Sequence, residues 1–147
     1  MNKVIVKVRG QQTDAQGEVN TIEMMAEGEH YFRNGKHYIL YEDTSLDQKN
    51  STATVLKIST DSLTLLRKGA VVQEQHFSLA RESRSTYQTP YGELALAVKT
   101  KRMDIVYGTV SGNIDVAYAM SVNGQWQSTN ELHIEVCADE KEKQKLN

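Results

Sequence analysis

The chain has 147 residues and carries 17 Lys and Arg against 19 Asp and Glu, a net charge of -2. That length suits one hydrophobic core, and the charge lacks the basic excess by which a general nucleic-acid binder neutralises phosphate. The single Cys cannot close an internal disulfide, and the longest apolar run, residues 94–98, is far too short to cross a bilayer. The amino terminus alternates apolar and charged residues where a signal peptide would carry a continuous apolar block. A cytoplasmic protein is expected, with no nucleic-acid or membrane partner, one domain over residues 1–137 and a charged, frayed tail over residues 138–147.

In chain order, apolar residues recur with period two in about ten short runs, and helical periodicity is absent before residue 137. Val4, Val6 and Val8 come first. Ile22, Met24, Ala26 and Phe32 follow in a long strand that Gly28 is expected to bulge. Tyr38 and Leu40 precede a polar loop at residues 42–50, and Leu56 and Ile58 then lead to Leu63 and Leu65. Val71, Phe77 and Leu79 run into an irregular or short helical link at residues 80–85. A strand near Tyr87 is followed by Leu94, Leu96 and Val98, then by Met103, Ile105 and Tyr107. Ile114, Val116, Tyr118 and Met120 lead through Asn123-Gly124 to Trp126, Leu132, Ile134 and Val136.

Each turn is required to keep apolar opposite apolar, because a slip of one residue turns a whole strand over. Two-residue loops at Asp61-Ser62, Thr100-Lys101 and Gly112-Asn113 do so, setting Ile58 against Leu65, Val98 against Met103 and Tyr107 against Tyr118. Three-residue bulged loops are expected at residues 33–35, 67–69 and 122–124, each ending in Gly. They pair His30 with Tyr38, Leu65 with Val71 and Met120 with Trp126. The first of these places His30 and His37 on opposite faces of the sheet.

Strands joined by tight turns without crossovers form a meander, and a meander of about ten strands curls until closure removes its edges. The fold class expected is therefore all-β, a single antiparallel meander barrel. A barrel of that size encloses more than side chains must fill.

Ser85-Thr86-Tyr87-Gln88-Thr89-Pro90-Tyr91-Gly92-Glu93-Leu94-Ala95-Leu96 holds the only Pro, and Pro followed two residues later by Gly suits a tight hairpin. With the strand Tyr38-Ile39-Leu40-Tyr41-Glu42 and the order of hairpins, it resembles the YwiB-like family of uncharacterised bacterial β-barrel proteins over essentially the whole chain. The resemblance implies a calycin-type, lipocalin-like barrel. It implies no activity and no functional residues.

No two of the four His share a spacing used for zinc, so neither a metal nor a cofactor is expected. His133 and Cys137 share a strand face but stand roughly 13 Å apart at strand rise, too far for proton transfer. Glu23, Glu27, Glu29, Glu131 and Glu135 fall on wet faces, and nucleophile-elbow, phosphate-loop and dinucleotide motifs are missing. A non-enzymatic protein is expected. The inward parity instead gathers Tyr38, Met103, Tyr107, Tyr118, Met120 and Trp126, with Arg67 at a strand end. Apolar walls with a few polar tips and one cation describe a site for a small hydrophobic, amphipathic or acidic molecule, although the same side chains would also fill a core unaided. The alternative is an interaction module, such as a homodimer, that uses Ile5, Met25 and Ile39 on the outer face.

Overall fold

The computed structural model describes residues 1–44 and 49–139. Residues 45–48 of the polar loop expected at 42–50 and residues 140–147 of the expected tail lie outside the described residues. Glu42 and Asp43, expected in that loop, belong to a strand paired with Ala53 and Thr52. Ten strands make up the described chain: β1 (Asn2–Asp14), β2 (Val19–Arg33), β3 (Lys36–Asp43), β4 (Thr52–Ile58), β5 (Ser62–Gly69), β6 (Gln73–Ser78), β7 (Glu82–Thr89), β8 (Gly92–Tyr107), β9 (Gly112–Val122) and β10 (Gln125–Ala138). They lie in one antiparallel sheet ordered β6-β5-β4-β3-β2-β1-β10-β9-β8-β7. The sheet is a meander whose first and last strands pair with each other, eleven residues to a side, from Val4 opposite Ala138 to Asp14 opposite Ser128.

Closure is nearly complete. At the seam, Val72, just before β6, and Gln88 of β7 form an isolated bridge with backbone hydrogen bonds of 3.0 and 2.9 Å. The protein is thus an all-β, nearly closed ten-stranded barrel, and none of its described elements is a helix long and apolar enough to cross a membrane. Ala138 closes β10, and the Asp139 amide donates to the Lys3 carbonyl at 2.9 Å, so the strand ladder reaches into the expected tail.

Alternation fixes the core. Val4, Val6, Leu56, Ile58, Ile114, Val116, Ile134 and Val136 point inward at even residue numbers, and Ile39, Leu63, Leu65 and Phe77 at odd ones. This apolar belt is the hydrophobic source of stability, each fully buried side chain contributing about 1.5–3 kcal/mol relative to exposure.

Turn chemistry differs from expectation at several places. Asn34 and Gly35 both take positive φ, 52° and 77°, and form a two-residue type I′ turn that pairs Arg33 with Lys36. The bulged loop at residues 33–35 is not formed, and with one residue fewer in the loop β3 turns over. Ile39, expected on the outer face, is completely buried. Tyr38, expected inside, stacks on Tyr31 on the outer face with ring centroids 4.8 Å apart.

Asn123-Gly124 is likewise a two-residue turn, with Val122 opposite Gln125. A register shift between Trp126 and Ser128 then restores the inward face of β10. Trp126 consequently sits opposite Ser121 instead of Met120, and it is half exposed. The expected hairpin at Thr100-Lys101 is replaced by a single 16-residue strand, β8, with a bulge between Thr100 and Arg102. One inserted residue changes parity as a two-residue turn would, so Val98 and Met103 both reach the core without the chain reversing.

Elsewhere β5 continues to Gly69 and sets Leu65 against Gln75, Ile58 faces Leu63, and Tyr107 faces Gly112. The link expected at residues 80–85 reduces to a tight turn with Ala80 at φ 62°, after which β7 begins. The Pro90-Tyr91 turn pairs Thr89 with Gly92, as its sequence suggests.

Candidate functional site

Antiparallel alternation places the turns at residues 34–35, 59–61, 79–81 and 108–111 at one end of the barrel, and those at 15–18, 70–72, 90–91 and 123–124 at the other. Between them the interior is apolar. At each end it becomes polar, with different chemistry.

The first end is a histidine cluster. His30 on β2 and His37 on β3 share the inner face because their turn has two residues, and His30 Nε2 lies 2.9 Å from His37 Nδ1. Tyr107 from β8 stacks on His37 at 4.0 Å between centroids and on His30 at 5.8 Å. Its ring occupies the space over Gly112, where a Cβ would overlap the ring's Cγ, and its hydroxyl donates to the Val110 carbonyl at 2.6 Å. Burial holds the pKa of His30 below the ordinary 6.5, with the charges of His37 and the amino terminus adding to it, and burial lowers His37 as well. Both rings are therefore neutral near pH 7, one donating and the other accepting.

The second end is built around Arg67. It stands two residues before the end of β5, opposite Thr54 on β4 and Gln73 on β6. Its Nη1 donates to Gln73 Oε1 at 3.3 Å, whereas its Nε is buried with no hydrogen-bond partner. Its charge favours the ionised forms of both Tyr41 and Tyr118, although burial, the larger effect, raises the pKa of each phenol. Tyr118 rests edge-on against Phe77 at 5.0 Å and is flanked in the sheet by Thr100 and Asn130. Gln73, Gln75 and Ser85 join in a side-chain network across the seam, in which Ser85 Oγ donates to Gln75 Oε1 at 2.8 Å.

Among the described residues four buried side-chain atoms have no hydrogen-bond partner: Thr52 Oγ1, Arg67 Nε, Thr100 Oγ1 and Asn130 Nδ2. Native interiors seldom leave such atoms unpaired, since each costs about 1–3 kcal/mol. Two of them, on Thr100 and Asn130, flank Tyr118 in the sheet, and Thr52 faces Gly69 at the end of β5.

Of the residues singled out in the sequence, Met103, Tyr107, Tyr118 and Met120 pack against the core and Arg67 points into the arginine end. Tyr107 lies at the opposite end from Arg67, so these side chains do not form one site. Tyr38 and Trp126 are outside. Sequence reasoning put His30 and His37 on opposite faces, which the 2.9 Å contact between them corrects, and it did not single out Gln73, Gln75 or Asn130. Asn34-Gly35 held the signal for the histidines, because a type I′ turn there puts both on one face.

On the outer surface the His133 Nδ1 and Asp115 Oδ1 atoms stand 2.7 Å apart across paired strands. The Cys137 thiol donates to Glu135 Oε1 at 3.1 Å, a bond that, with burial, pushes its pKa up, the reverse of nucleophile activation. Among the described residues no group of three or more His, Cys, Asp or Glu could hold a metal ion.

Comparison with known proteins agrees with this architecture. A family described as a domain of unknown function (DUF1934) matches residues 6–134. The uncharacterized β-barrel protein YwiB of Bacillus subtilis (strain 168) is 28% identical over 119 residues, which is 80% of this chain and 82% of YwiB. The crystal structure of the ywiB protein from Bacillus subtilis superposes with a TM-score of 0.83 at 24% identity, covering 94% of this chain and 92% of that one. At that identity the superposition speaks for the fold.

Proposed function

Since the chain belongs to the DUF1934 family, which has no assigned activity, we propose from its own geometry that it is a non-enzymatic, cytoplasmic barrel that binds a small amphipathic molecule at its arginine end. The observation that carries this reading is the set of partnerless buried atoms Thr52 Oγ1, Arg67 Nε, Thr100 Oγ1 and Asn130 Nδ2. Desolvating a guanidinium nitrogen, two hydroxyls and an amide without partners is costly, and a bound polar group removes that cost. Tyr118, flanked by Thr100 and Asn130 and edge-on to Phe77, supplies an apolar surface for the rest of the molecule. A few placed polar groups on an apolar wall is the usual composition of a small-molecule site.

A binding role also suits the titratable groups. Cys137 has its thiol tied to Glu135, and His133 is paired with Asp115 on the outer surface. The interaction-module alternative has Met25 exposed on the outer face, but Ile39 is in the core and unavailable to it.

Native mass spectrometry of the protein purified without denaturation tests the proposal. We expect an adduct of small-molecule mass that is lost on unfolding. A bare mass from every preparation, together with a crystal structure in which the four atoms bond only to water, overturns it.

A further inference from the structure

We infer that two copies of this chain pair edge to edge through residues 19–27 of β2, in an antiparallel dimer whose two-fold axis passes at Ile22. The pairing does not depend on the binding role proposed above. β2 pairs with β1 without interruption from Val19 to His30, whereas β3 covers its other side only from Gly28 to Arg33. Among the described residues, no strand pairs with that side of β2 over residues 19–27. Backbone N–H and C=O groups along this stretch therefore face water, and what fits such a row is another extended backbone.

Long strand edges are normally protected by Lys, by Pro or by a bulge. β8 carries a comparable uncovered stretch and shows two of these devices. Beyond Thr100 it pairs only with β9, and it opens on a bulge with Lys101 and Arg102 exposed. Residues 19–27 of β2 contain no Lys, Arg or Pro, and their register with β1 is unbroken. They instead present apolar side chains to water on both faces. Ile22 on the inner face is 58% exposed, and Val19 and Met25 on the outer face are 49% and 69% exposed.

The side chains favour a second copy over an unrelated strand, because the edge is complementary to itself. A two-fold axis normal to the sheet keeps inner residues opposite inner ones, so it must be centred on a residue. Centred on Ile22, it sets Ile22 against Ile22, Val19 against Met25 and Thr21 against Glu23 of the second copy. Each exposed apolar side chain then meets an apolar partner, and no carboxylate lies directly opposite another. Centred on Glu23, the axis sets Glu23 against itself, and on Met25 it sets Glu23 against Glu27. Centred on Thr21 or Met24, it sets Val19 against Glu23 or Glu29. Like charges directly opposite destabilise a strand pair, and apolar pairs stabilise it.

Sedimentation equilibrium of the full chain over a range of concentrations tests the dimer, and cross-linking tests its register. Wild type is expected to approach twice the monomer mass as concentration rises. Ile22→Lys, which sets two cations opposite each other, is expected to weaken association at least about tenfold. For the register, Ile22→Cys and Asn20→Cys are each combined with Cys137→Ser. Two Cys at position 22 face each other within disulfide reach, whereas two at position 20 stand roughly 13 Å apart along the strands. Mild oxidation is expected to give a covalent dimer from Ile22→Cys and none from Asn20→Cys. A wild type that stays monomeric overturns the proposal and leaves the edge to a strand of another protein. A dimer that Ile22→Lys leaves unchanged also overturns it, placing the contact elsewhere on the barrel. Equal cross-linking of the two Cys variants overturns the axis at Ile22. Should Ile22→Lys not fold, the two Cys variants decide alone.

Discussion

His30 Nε2 and His37 Nδ1 lie 2.9 Å apart across the Asn34-Gly35 turn, so one proton serves both rings. When both rings are protonated each of these nitrogens carries a hydrogen, and the bond becomes a repulsion.

A pH dependence of stability follows. Both histidines have folded-state pKa values below 6.5, with burial the leading cause. Above that value they are neutral in folded and unfolded chains alike, and they add no pH slope. As pH falls through it, the unfolded chain takes up protons first, so stability drops until the folded pair titrates as well. We expect the melting temperature to fall between pH 7.5 and 5.5, and the fall to be smaller in His37→Asn. An identical slope in the variant would sink the assignment.

Gly112 is a seat for the Tyr107 ring. A Cβ there would overlap Tyr107 Cγ, so Gly112→Ala displaces the ring from its stack on His37. Overpacking of this kind costs about 1–3 kcal/mol. In a Tyr107→Ala background the same change is expected to be neutral or stabilising, because Gly is a poor strand residue. Chemical denaturation of the four proteins in the cycle gives the coupling, and additive effects would refute the packing.

Trp126 reports on the register of β10. Half exposed opposite Ser121, it should emit near the wavelength of free tryptophan and be quenched readily by iodide. A bulged loop at residues 122–124 would bury it beside Met120, giving blue-shifted, protected emission. Gly124, at φ 84°, is expected to lose about 1–2 kcal/mol on substitution by Ala.

The faces of β3 can be separated by mutation. Ile39 is fully buried, and Ile39→Ala should cost about 2–5 kcal/mol. Tyr38→Ser removes only an outer stack with Tyr31, worth about 0.5–1.5 kcal/mol. Thermal melts of the two variants rank them, and the reverse order would restore the inward Tyr38.

Most of the fold was legible in the chain. Alternation at Val4, Val6 and Val8, and again at Ile114, Val116, Leu132, Ile134 and Val136, marks strands with one buried face, and the absence of crossovers makes the sheet a meander. Face assignments failed wherever a turn and a bulge could produce the same parity. Thr100-Lys101 read as a turn is a bulge within β8, and the shift expected within the 122–124 loop occurs instead after Trp126. The site was legible only in part, through Arg67, Tyr118 and Met120.

By itself, the sequence determined the all-β class, the number of strands to within one or two, and the apolar belt, because period-two patterning is a local property of each segment. Tertiary structure decided which polar residues meet. His30 and His37 join through a turn shorter by one residue, and Arg67, Gln73, Tyr118, Thr100 and Asn130 converge because the sheet closes on itself. Closure brings together strands far apart in the chain, and no local pattern records the burial that leaves Arg67 Nε without a partner.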